Sequence, residues 1–187
     1  MLRQTSQLLP ALLSRRDEAD CLEVLDLGPA RPETVAYFAG SRCRLHIADL
    51  FAELPLAWEQ EAPDYAAELS ALLPLAPDVR LDVVLFWDLF NYLPVEAIQA
   101  LQAVLRPHLN PGSRAHAFGV HKRSAPENTH HFGILAGDTL ALSPRPAAIA
   151  GYAPLSQARL QACLSDFRFE RSVLLGDGRL ELLLLPA

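Results

Sequence analysis

At 187 residues and 51% hydrophobic side chains, the chain can bury one sizeable core and is not a disordered polypeptide. A net charge of −6 and a pI near 5.5 argue against a nucleic-acid backbone as the main partner, because that would need a basic face. Three widely spaced cysteines argue against a disulfide framework, and no run reaches the ~18 uncharged apolar residues of a membrane span, so a reduced cytoplasmic protein is expected.

Within residues 1–20, the stretch 2–16 is expected to form a leading helix with Leu8, Leu9, Leu12 and Leu13 on one face. Leu22–Leu27 has the length and character of a strand, and Gly28-Pro29-Ala30-Arg31-Pro32 breaks it. Pro32 suits a first helical position, because its missing N–H has no intrahelical partner there, and Glu33–Ala39 continues the helix. Arg44–Asp49 is a second strand ending in an acid. Asp26 leaves its strand on the same side as Gly28, and Gly28 and Asp49 stand 21 residues apart. That spacing fits a strand–helix–strand nucleotide site, where a glycine turn lies under the ligand and the acid takes ribose hydroxyls. Ala30 replaces a second glycine, and Pro29 and Pro32 each remove a backbone donor, so a pyrophosphate-bearing ligand is disfavoured.

Between Phe51 and Pro77 the sequence is acidic, with a helix expected over 58–73 and no convincing strand before Leu81. Leu81–Trp87 is a continuous apolar strand, and Asp88 follows at its carboxyl end, where capping a turn is the alternative role. Apolar residues at three- and four-residue steps predict a helix over 94–109, closed by Asn110-Pro111-Gly112, with a strand over 114–120. The segment 121–153 reads as a long lid-like insertion with a small hairpin around Gly137-Asp138. Its His121, His130 and His131 read as loop histidines, with no metal site expected. Ser156 is placed to cap a helix ending near Leu164, and strands over 168–175 and 179–185 form a terminal hairpin.

Val24-Leu25-Asp26-Leu27-Gly28 followed by Asp49 resembles the first two motifs of class I S-adenosylmethionine-dependent methyltransferases. Leu81–Leu93 resembles that family's fourth strand and its loop, and Leu105–Gly112 resembles the turn before its fifth strand. The resemblance is to a divergent member, since only the first glycine of the glycine-rich turn is kept. It implies a single domain over 1–187 of α/β class: a three-layer Rossmann-like sheet, mostly parallel, with a C-terminal antiparallel hairpin. The chain departs from the family between Asp49 and Leu81, where the usual third strand is missing or replaced by helix. It also implies S-adenosylmethionine as cofactor, whose lack of phosphates tolerates a donor-poor turn. Asp26 would serve its methionine end, Asp49 its ribose and Leu50 its adenine, with Asp88 on the same sheet edge.

The expected function is therefore methyl transfer to a small-molecule or protein acceptor. Asp88, Tyr92, His116 and His121 are positioned as candidates for a base, and none carries a signature that singles it out. The alternative is a non-catalytic methyltransferase-like binding or scaffold protein that has lost its cofactor. A nicotinamide-dependent oxidoreductase is held back by the donor-poor turn. The sequence leaves a homodimer open.

Overall fold

The computed structural model describes residues 2–14, 21–56, 63–73 and 75–187. The strands are β1 (Leu2–Thr5), β2 (Leu22–Asp26), β3 (Cys43–Ile47), β4 (Leu81–Trp87), β5 (Leu109–Val120), β6 (His130–Ala136), β7 (Thr139–Pro144), β8 (Phe167–Leu174) and β9 (Arg179–Pro186). The helices are α1 (Leu9–Leu13), α2 (Pro32–Ala39), α3 (Tyr65–Leu72), α4 (Val95–Leu105) and α5 (Gln157–Cys163). Six strands form the main sheet in the order β3-β2-β4-β5-β9-β8. From β3 to β5 all neighbours run parallel, and β9 is antiparallel to both β5 and β8. The chain thus has the α/β architecture expected, a mostly parallel sheet finished by an antiparallel hairpin.

Central strand β4 is apolar throughout except for Asp82, which faces out and accepts the Glu23 N–H. Two-sided burial is what a continuous apolar strand requires, and Phe86 accordingly packs against Phe90 and Phe167. Helix α4 buries Ala97, Ile98, Leu101 and Leu105 and lies between α3 and α5. The turn expected at Asn110–Gly112 is an irregularity inside β5: Ser113 donates to the Leu81 carbonyl and accepts from Asn110 N–H, absorbing the extra residues.

No described strand continues the sheet beyond β3, in keeping with the missing third strand. Helix α3 is shorter than the 58–73 expected; residues 57–62, with Trp58, lie outside the described residues.

Two stretches differ from the sequence reading. Residues 2–5, expected in a leading helix, are strand β1, and only 9–13 are helical. The cause is tertiary: β1 pairs antiparallel with β7, Leu2 opposite Leu142 and Thr5 opposite Thr139. His130 and His131, expected in a loop, lie in β6, opposite Pro144 and Ser143 of β7. The hairpin foreseen around Gly137-Asp138 therefore extends over 130–144 and joins β1 in a second, three-stranded sheet of order β1-β7-β6.

Candidate functional site

Because β2, β3 and β4 are parallel neighbours, Asp26, Asp49 and Asp88 fall at one edge of the sheet. The pairing carries on past the strand ends: Leu27 donates to Leu85, Ala48 to Asp26 and Leu50 to Leu27. This brings the Gly28 turn beside the Asp49 turn.

Asp26 is 1% exposed. Its Oδ1 accepts the Gly28 N–H at 2.9 Å and the Trp87 Nε1–H at 2.6 Å, while Oδ2 has no partner. Burial drives its pKa up to about 7, against the lowering effect of those two bonds, and the Asp49 charge adds a smaller upward push. Gly28 is needed for space: a Cβ there would lie 2.9 Å from Trp87 Cδ1 and 3.0 Å from its Nε1.

Trp87 ends β4 with φ of 51°, the left-handed region that costs a bulky residue about 1–2 kcal/mol. A hydrogen bond to a carboxylate contributes about 1.5–3 kcal/mol and an aromatic stack about 0.5–1.5 kcal/mol, together enough to offset that strain. The stack is present: Trp87 lies 5.5 Å from Phe132 of β6 at 11°, and Phe132 lies 4.6 Å from Phe118 of β5.

Asp49 is half-buried and accepts weakly from Ala52 N–H at 3.3 Å; burial raises its pKa. Leu50, expected against an adenine, is buried in the core beneath the turn. Asp88 is buried, and its two oxygens share Arg145 Nη2 at 2.7 and 2.9 Å, with Asn128 Nδ2 at 3.1 Å. Burial pushes its carboxyl up, and the Arg145 charge opposes this. The Arg145 guanidinium lies over the rings of Phe51, at 5.3 Å, and Tyr92, at 5.4 Å. It donates to the Tyr92 hydroxyl, which in turn donates to Glu127 at 3.0 Å. Burial, then the Asp88 charge, raises the Tyr92 pKa.

His116 and His121 do not join this group. His116 is fully buried, 3.0 Å from Glu181, which also takes the Ser6 hydroxyl and the Gln7 N–H. Burial raises the Glu181 pKa, but the bonds from His116 and Ser6 outweigh it and hold the carboxyl below its usual range. Exposed His121 lines a separate hollow with Ser156 and Gln157. Among the described residues, no three His, Cys, Asp or Glu side chains are grouped to hold a metal.

The structure therefore unites Asp26, Gly28, Asp49 and Asp88, and adds Trp87, Phe132 and Arg145, which sequence reasoning missed. Trp87 reads as one more apolar strand residue, and Arg145 between two prolines carries no motif.

Neither a protein-family model nor a curated protein sequence matches the chain. Solved structures do. The Burkholderia thailandensis 1,6-didemethyltoxoflavin-N1-methyltransferase, solved with its namesake and S-adenosylhomocysteine bound, is 17% identical with a TM-score of 0.53, over 97% of this chain and 77% of that one. The mitomycin 7-O-methyltransferase MmcR and the pyocyanin biosynthetic protein PhzM are each 16% identical with TM-scores of 0.51, over 96% of this chain. The chain spans about half the length of these last two, 52% and 53%. At such identities the likeness defines the fold: the chain has the fold of class I S-adenosylmethionine-dependent methyltransferases.

Proposed function

We propose that the chain is an S-adenosylmethionine-dependent methyltransferase acting on a small-molecule or protein acceptor. The observation that carries this reading is the convergence of Asp26, Gly28 and Asp49 at the carboxyl ends of adjoining parallel strands, on the fold of structures that hold S-adenosylhomocysteine. The donor set suits such a cofactor. Asp49 is accessible to ribose hydroxyls, and the unpartnered Asp26 Oδ2 is a buried acceptor suited to a ligand's ammonium group.

When bound, S-adenosylmethionine supplies an electrophilic methyl group on a sulfonium. The chain's part is to hold the two reactants in line and exclude water. It has little to offer as a base: Arg145 holds Asp88, burial raises Tyr92, His116 is locked to Glu181 and His121 stands apart. An acceptor nitrogen or sulfur that attacks without losing a proton first suits these residues better than a hydroxyl.

The non-catalytic reading is favoured by one observation, the cover of Trp87 on Gly28 and of Arg145 on Asp88. Calorimetric titration with S-adenosylmethionine, S-adenosylhomocysteine and NADH separates the readings. The methyltransferase reading expects micromolar binding of the first two only, weakened at least thirtyfold in Asp49→Ala. No heat from any of them supports the scaffold.

A further inference from the structure

We infer that the Trp87 side chain is a self-supplied occupant of the cofactor crevice, held down by the β6–β7 hairpin, and that it leaves the glycine turn when cofactor binds. This rests on the proposed function. The space above Gly28 is where a ligand would approach the backbone, and the indole already fills it, lying 2.9 Å from where a Gly28 Cβ would stand. The indole N–H also takes the Asp26 oxygen that faces Gly28. A ligand ammonium can replace this neutral donor with a charged one at Oδ1, and Oδ2, which has no partner, is open to the same group.

Trp87 is held by contacts, not by its own backbone preference, because φ of 51° is a conformation that tryptophan rarely adopts. The contact above it is Phe132, and Phe132 belongs to the hairpin. That hairpin rests on the first turn of α2: Ile134 N–H donates to Thr34 Oγ1 at 3.0 Å, and Arg31 donates to Ser143 at 2.5 Å. A Cβ on Gly133 would come within 3.3 Å of Arg31, so β6 lies directly against this turn. The cover thus spans the glycine turn from the Trp87 side to the start of α2. Lifting the hairpin removes the stack from Trp87 and uncovers the same turn in one movement. The apparent affinity for cofactor is then the intrinsic affinity scaled by the fraction of molecules with the crevice uncovered.

The test uses tryptophan emission. The chain has two tryptophans, so Trp58→Phe leaves Trp87 as the sole emitter. Titrating this protein with S-adenosylhomocysteine is expected to shift Trp87 emission to the red as the indole leaves its buried stack. Trp87→Phe, which cannot donate to Asp26, is expected to bind S-adenosylhomocysteine at least fivefold more tightly by calorimetry. Binding that depends on Asp49 while Trp87 emission stays unmoved overturns the inference and leaves the methyltransferase reading intact. Failure of every variant to bind overturns both. Should Trp87→Phe not fold, the emission titration decides alone.

Discussion

Asp26 shows how one buried carboxyl ties stability to pH, and on the proposed function ties ligand affinity to it as well. Its unfolded value is near 3.8 and its folded value about 7, so the folded state holds the proton more tightly. The stabilisation from that proton is complete below the unfolded value and is lost as pH rises towards and through 7. Asp26→Asn keeps an acceptor for Trp87 without the titration. Thermal melts from pH 4 to 7.5 are expected to show the variant gaining on the parent steadily across that window. Calorimetry with S-adenosylhomocysteine should run the other way, the parent's affinity rising with pH as the carboxylate forms to meet the ammonium. Asp26, Gly28, Asp49 and Asp88 were legible as a group because strand ends in a parallel sheet share an edge, and that follows from element order alone. Trp87 was not, because apolar patterning places it in β4 but says nothing of a left-handed final residue that turns its ring over a glycine.

Among the elements, the best read were those whose pattern is local: β4 as an unbroken apolar run, α4 by its spacing, and the β8–β9 hairpin by its glycine turn. Strand β1 was misread because its partner β7 is remote along the chain, Leu2 pairing with Leu142, and its own sequence has no strand signal. The chain after β1 is held by Ser6, whose hydroxyl donates to Glu181 and accepts the Leu9 N–H at the start of α1. Ser6→Ala removes both bonds at once and leaves Glu181 with fewer donors. The expected loss is about 1–2 kcal/mol in urea unfolding. Hydrogen exchange at β1 and β7 should quicken more than at β4, which lies in the middle of the main sheet.

For the whole molecule, a mostly parallel sheet closed by an antiparallel hairpin, with no described strand between Asp49 and Leu81, was anticipated from which segments can be strands at all; the order β3-β2-β4-β5-β9-β8 was not read from the sequence. The closing of the carboxyl edge was not, because it is set by contacts between the hairpin and α2 that no single segment encodes. The hairpin carries Phe132 in one strand and Arg145 just past the end of the other, and these meet Trp87 and Asp88, two consecutive residues. The two fastenings are therefore ganged: releasing one displaces the backbone that bears the other. A crevice so fastened has a single opening step, and no ligand can hurry it by crowding the surface. Stopped-flow traces with S-adenosylhomocysteine should accordingly level off at a ceiling rate as concentration rises, that ceiling being the frequency at which the hairpin lifts.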